Sequence, residues 1–172
     1  MNKPKCIPYH SPFTKLRYKW HAGYFSSPEH QGETIITIQT SRSGSTKLQV
    51  ARKNFVGSEP RKFQVTKALS AELFQQLQKG FANASLKFAA MPDIVCDAGS
   101  SVLEASGDSW NFRLNYYSFE KDDGLGEFRE LLREVYGPVV DAMNAKIREA
   151  MIEIDGKQQG LEGDSEGNTG VA

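Results

Sequence analysis

A chain of 172 residues, 39% hydrophobic and 24% charged, can bury one core and is too apolar to be disordered throughout. No run approaches eighteen consecutive apolar residues, which argues against a membrane-spanning helix, and the start lacks the apolar stretch of a signal peptide. We therefore expect a cytoplasmic protein that does not associate with a membrane.

The formal net charge of zero hides a strong asymmetry. Residues 1–90 contain 14 Lys and Arg against 4 Asp and Glu, whereas residues 91–172 contain 7 against 17. Either the two halves interleave and neutralise each other in one fold, or a basic surface is kept for an acidic partner. For a single small domain, the first explanation is favoured.

Residues 1–33 are predicted to form an irregular arm, because four of the seven prolines fall within them. Inside this arm, the segment KLRYKWHAGYF mixes aromatic and basic residues and could contain a short strand. A single folded domain is then expected over residues 34–154, followed by a disordered acidic and glycine-rich tail over residues 155–172.

The domain is predicted to begin with a β-hairpin. The β-branched run ETIITIQT and the alternating run KLQVARK flank the loop SRSGS, in which Gly44 can adopt a positive φ. The segment RKFQVTK could add a third strand. Ser70 is a natural N-cap for a helix whose apolar face is Leu73, Phe74, Leu77 and Phe81.

A second hairpin and a second helix are predicted in the C-terminal half. SSVLEAS and SWNFRLNYY alternate, so Trp110, Phe112, Leu114 and Tyr116 should face the core. From Leu125 the apolar period is helical, and Gly137-Pro138 predicts a kink or a helix–turn–helix. The order ββ(β)-α-ββ-α indicates an α+β fold, with an antiparallel sheet of four to five strands and helices packed on one face.

The sequence gives little support to catalysis. We predict no metal site and no cofactor, because the three histidines are widely spaced and no phosphate-binding glycine loop is present. The two cysteines, Cys6 and Cys96, are read as reduced thiols, although a disulfide between them is also possible. A hydrolase is the second alternative function, using acids around the second hairpin. These acids are Asp93, Asp97, Glu104, Asp108, Glu120, Asp122 and Asp123.

Single-stranded nucleic-acid binding is the first alternative function. Cations that neutralise phosphates next to rings that stack on bases are typical of such proteins, and the basic N-terminal half supplies both. The predicted face consists of Lys15, Arg17, Tyr18, Lys19, Trp20, Arg42, Arg52 and Lys53.

The run from Cys96 to Val135 resembles small uncharacterised bacterial α+β domains, some of them immunity-like or encoded near defence and mobile genes. The resemblance covers about forty of the 172 residues, with Ala98 as an insertion. It implies a binding module and no reaction. The positions that carry it are Asp97, Gly99, Leu103, Glu104, Tyr117, Leu131 and Leu132.

The leading hypothesis is a non-enzymatic module that binds another macromolecule, with this chain acting as an inhibitor- or immunity-type protein and another protein as its expected partner. The solvent side of the last strand and the acidic loop after it are the predicted contact surface, since tyrosine, asparagine and arginine suit such surfaces. Its residues are Asn111, Arg113, Asn115, Tyr117, Glu120, Asp122 and Asp123.

Overall fold

Six antiparallel strands and two helices account for most of the residues that the computed structural model describes, which are 12–21, 27–56, 59–84, 100–117 and 124–163. The sheet order is β4-β3-β2-β1-β5-β6. The α+β class with an antiparallel sheet is therefore confirmed. The strands are β1 Lys15–His21, β2 Glu33–Thr40, β3 Thr46–Val56, β4 Glu59–Leu69, β5 Ser100–Ser106 and β6 Asn111–Tyr117, and the helices are α1 Ala71–Asn83 and α2 Gly126–Gly163.

The sheet has one strand more than the four to five that the sequence predicts, because β1 is fully integrated. β1 pairs with β2 on one side and with β5 on the other, so it lies near the middle of the sheet. Its sequence KLRYKWH alternates cations with apolar residues, the pattern of a strand buried on one face only. The folded region therefore includes residues that precede position 34.

The hydrophobic core lies between one face of the sheet and the two helices. Phe81 of α1 occupies the centre, with its ring 5.3 Å from those of Phe112 and Phe128 and 5.7 Å from that of Phe13. These edge-to-face contacts join α1, α2, β6 and the segment before β1. Alternate residues of the inner strands complete the core: Leu16, Ile36, Ile38, Leu48, Val50, Leu103 and Ala105.

The first helix forms as its capping residue predicts. The Ser70 hydroxyl accepts a hydrogen bond from the Leu73 backbone N–H at 3.3 Å, which satisfies one donor of the first turn. Phe74, Leu77 and Phe81 are buried. Leu73, which the sequence predicts to lie on the same apolar face, is not buried: it is 40% exposed.

The second helix is continuous through Gly137-Pro138, so the predicted helix–turn–helix is wrong. Pro138 lies inside the helix, where a proline removes one backbone hydrogen bond at a cost of about 3 kcal/mol. Residues on both sides of it, including Phe128, Val139 and Met143, are buried in the same hydrophobic core. Burial of that long apolar stripe outweighs the lost hydrogen bond. The helix also continues to Gly163, past residue 155 where the tail was predicted to begin.

A buried arginine connects the second helix to the sheet. The Arg52 side chain of β3 points to the helix side and is 3% exposed. Its guanidinium donates to Thr34 Oγ1 at 2.7 Å and to Asn144 Oδ1 at 2.8 Å. It also donates to the backbone carbonyl of Glu29. Burial lowers the pKa of Arg52, and the nearby Glu29 carboxylate opposes this effect.

Replacing Arg52 by alanine should lower the free energy of unfolding by about 2–4 kcal/mol, because two buried acceptors and one partly buried carbonyl would lose their donor. Chemical denaturation measures this value. The control is Lys53→Ala, since Lys53 is the next residue of β3 and its exposed side chain lies on the opposite face. That variant should stay within about 0.5 kcal/mol of the wild type. Equal losses from both variants would contradict the assigned facing of β3.

Candidate functional site: the open face of the sheet

The sheet has a second face, which no described helix covers. Successive residues of a strand point to opposite sides, so every second residue points away from α1 and α2. We call this surface the open face. It consists of odd-numbered residues 15–21, 33–39, 47–55 and 111–115, and even-numbered residues 60–68 and 102–106.

The open face is strongly basic. Within it, only Glu33 and Glu104 are acidic, whereas seven side chains are cationic, so its formal charge is +5. The cations come from four strands and are spread across the sheet instead of forming one cluster. They are Lys15, Arg17 and Lys19 of β1, Lys47 and Lys53 of β3, Lys62 of β4 and Arg113 of β6.

Glu104 links the cations of two strands. It is in register with Arg17 on one side and with Arg113 on the other, and its carboxylate lies 3.5 Å from each guanidinium. Such partly exposed ion pairs contribute only about 0–1 kcal/mol each, so an incoming anion can replace the carboxylate. A depression of about 370 Å³ lies at this point, and Lys15 and Asn111 also line it.

The predicted nucleic-acid face is divided between the two sides of the sheet. Its Lys15, Arg17, Lys19 and Lys53 all lie on the open face. Arg42 is in the exposed turn between β2 and β3. Arg52 belongs to the buried network described above, so its assignment to a basic surface is wrong.

The two aromatic residues of that prediction point to the helix side. Trp20 and Tyr18 pack with Tyr136 of α2, at ring-centre distances of 5.4 Å and 6.1 Å. Burial raises the pKa of Tyr136, and the neighbouring Tyr18 adds to the rise. KLRYKWH therefore places its cations and its aromatic rings on opposite faces, and these two rings do not stack beside the cations.

The predicted protein-contact surface is brought to the same open face. Asn111, Arg113 and Asn115 are exposed there, on the edge strand β6. Tyr117 is the last residue of this strand and pairs with Ser100. The open-face cations of the predicted nucleic-acid surface therefore share one side of the sheet with the described part of the predicted contact surface, and Glu104 connects them. The remaining members, Glu120, Asp122 and Asp123, lie outside the described residues.

The structure brings no pair of the predicted hydrolase acids together within the described residues. Glu104 contacts two arginines, and Asp108 is exposed in the turn between β5 and β6. Asp93 and Asp97, as well as Cys6 and Cys96, fall in segments that are not described. In the part of the chain that the structure describes, no three His, Cys, Asp or Glu side chains are arranged to hold a metal ion.

The charge asymmetry of the sequence becomes an asymmetry between the two sides of the molecule. The second helix carries eight Asp and Glu against five Lys and Arg, while the open face carries +5. The two halves of the chain interleave, since β1 pairs with β5 and Arg17 of the basic half contacts Glu104 of the acidic half, but the open face retains its excess of positive charge. The excess of basic side chains on the open face therefore lies on the side of the sheet away from the two described helices.

Two residues of the open face were missed by sequence reasoning. Lys62 lies on β4 directly across from Lys53, and Phe55 lies two residues beyond Lys53 on β3. The alternation of apolar and polar residues in β4 could have identified Lys62. Phe63 and Val65 pack against the core, so Lys62 must point to the opposite face.

Searches against protein-family models and against curated proteins gave no match to this chain. Among the described helices, none is both long and apolar enough to cross a membrane.

Proposed function

We propose that this protein is a binding module that takes single-stranded nucleic acid on the open face of its sheet. The observation that carries the proposal is the formal charge of +5 on a face that no described helix covers. A nucleic-acid backbone presents regularly spaced negative charges, and their neutralisation by Lys and Arg supplies most of non-specific binding. The proposal includes a cytoplasmic location.

The distribution of the cations favours an extended polyanion over a small anion. Five strand spacings of about 4.8 Å make the six-stranded sheet about 24 Å wide. Its cations lie on β1, β3, β4 and β6, so several phosphates of one strand can be neutralised together. A single phosphate or carboxylate would use only a fraction of this charge.

The side chains between the cations favour an unpaired strand over a duplex. They include uncharged hydrogen-bonding groups such as Gln49, Gln64, Asn111 and Asn115. Sheet faces with such groups can bind splayed bases, whereas the grooves of a duplex are usually entered by a protruding helix or ribbon. Among the described residues, no helix protrudes from the open face, although the β3–β4 hairpin extends past the start of β2 as a two-stranded ribbon.

The double variant Lys15→Glu with Lys53→Glu should bind a single-stranded oligonucleotide at least about tenfold more weakly than the wild type, because two phosphate contacts are lost. Fluorescence anisotropy at several salt concentrations measures the effect. The dependence of log K on log salt should become shallower by about 1.4, which is about 0.7 for each phosphate.

The matched control for this experiment reverses Lys79 of α1 and Lys146 of α2, which are exposed on the helices. Lys79→Glu with Lys146→Glu changes the net charge equally and should leave the affinity within about twofold, because these sites are far from the bound strand relative to a screening length of about 10 Å. If both double variants weaken binding equally, only the net charge matters and the open face is not the site.

Replacing Glu104 by glutamine should strengthen binding by about two- to fivefold. The substitution removes a repelling charge and releases Arg17 and Arg113, whose exposed ion pairs contribute at most about 1 kcal/mol each. The same titration measures it, with Glu130→Gln on the exposed side of α2 as the control. An unchanged or weaker affinity for Glu104→Gln would contradict binding of the oligonucleotide next to Glu104, between Arg17 and Arg113.

A protein partner is the second candidate, and the position of β6 favours it. β6 is an edge strand of the sheet, so its outer backbone can accept an added strand from another protein. Asn111, Arg113 and Asn115 would then contact the partner, and this chain would act as an inhibitor- or immunity-type protein. Binding of this kind uses mainly backbone hydrogen bonds, so its salt dependence would be shallow compared with that of nucleic-acid binding.

A further inference from the structure

A second depression on the open face has an apolar floor. Its volume is about 450 Å³, and it lies where β1, β2, β3 and β4 run side by side. Ile35 and Ala51 face each other in its floor, and Phe55 lines one side. Among the described residues, Phe55 is the one phenylalanine or tryptophan that lies mainly in solvent, with 63% of its surface exposed. A flat apolar ligand would cover this ring.

Two lysines on the rim repel each other. Lys53 and Lys62 occupy directly opposed positions of β3 and β4, and both are exposed. Like charges at such positions destabilise a strand pair. An anionic group bound between them would remove this repulsion, so the rim is suited to a phosphate next to the apolar floor.

The backbone around Phe55 is held in place from the other side of the sheet. The buried side chain of Asn54 accepts a hydrogen bond from the Phe55 N–H at 2.8 Å and donates one to the Pro28 carbonyl at 2.9 Å. At the adjacent end, Gly32 has a φ of +93°, and a Cβ there would lie 2.4 Å from the Lys53 carbonyl oxygen. This close approach fixes the start of β2 against β3. The exposed ring therefore belongs to a residue whose backbone N–H is hydrogen-bonded to a buried side chain.

We infer that this depression is a nucleotide subsite, in which Phe55 stacks on one base while Lys53 and Lys62 bind the adjacent phosphate. The inference rests on the proposed function and adds a specific stacking position to it. It also replaces the stacking role that the sequence predicted for Tyr18 and Trp20, whose rings face the helix side. An aromatic face accepts any base, so this subsite adds affinity without requiring a particular sequence.

The test combines substitutions at Phe55 with a fluorescent oligonucleotide that contains 2-aminopurine. Phe55→Ala should weaken binding on the order of tenfold, since a base is lost from its stacking partner. The slope of log K against log salt should not change, because Phe55 contacts no phosphate. Phe55→Trp should retain the affinity and the quenching of 2-aminopurine, whereas Phe55→Leu should lose the quenching.

The control variant is Ile152→Ala, which removes exposed apolar surface from α2, where Ile152 is 71% exposed. It should leave both affinity and quenching unchanged. Thermal unfolding of all variants should match that of the wild type, because both side chains are largely in solvent.

The outcomes separate the two proposals. If Phe55→Ala binds as tightly as the wild type while reversal of Lys15 and Lys53 abolishes binding, the open face binds nucleic acid and the subsite is wrong. If the wild-type protein binds no oligonucleotide at low salt, both are overturned. Loss of affinity on Phe55→Ala with full retention on Phe55→Trp supports the subsite.

Discussion

Burial of alternate side chains between the sheet and its two helices is the constraint on which the rest of the structure depends. Successive residues of a strand point to opposite faces, and only one face of this sheet is covered by the described helices, so most residues between the buried ones are polar or charged. In β1, this rule sends Leu16, Tyr18 and Trp20 to the helices and sends the three cations to the open face. The basic surface therefore results from the same alternation that builds the core.

The buried polar groups show how closely the helix side of the sheet is fitted. Arg52 and Asn54 occupy helix-side positions of β3 where apolar residues would be expected. Each hydrogen-bonds to partners outside the sheet. Arg52 donates to Asn144 of α2 and to the Glu29 carbonyl, and Asn54 donates to the Pro28 carbonyl. Such a network adds directional contacts to a core that is otherwise held by non-directional burial. It also ties the segment before β2 to the long helix.

Local patterns in the sequence were enough to predict the second hairpin and the first helix, because the alternation of apolar residues and the capping serine act within a few residues of the chain. They correctly placed Trp110 against the core, where its ring stacks on Phe81 at 6.2 Å. They failed where the decisive contact is distant in the chain. Arg52 looks like a surface cation until Asn144, 92 residues away, supplies its acceptor. Likewise, Pro138 looks like a helix end until the sheet beneath the helix is known.

The central claim is that nucleic acid binds the basic open face and not the helix side. It is tested most directly by measuring lysine acetylation rates by mass spectrometry, with and without a single-stranded oligonucleotide. A strand bound across the open face should slow the modification of Lys15, Lys47, Lys53 and Lys62 severalfold. Lys79 and Lys146 on the helices should react at the same rate in both samples. Protection of the helix lysines, or equal protection of all six, would contradict this account.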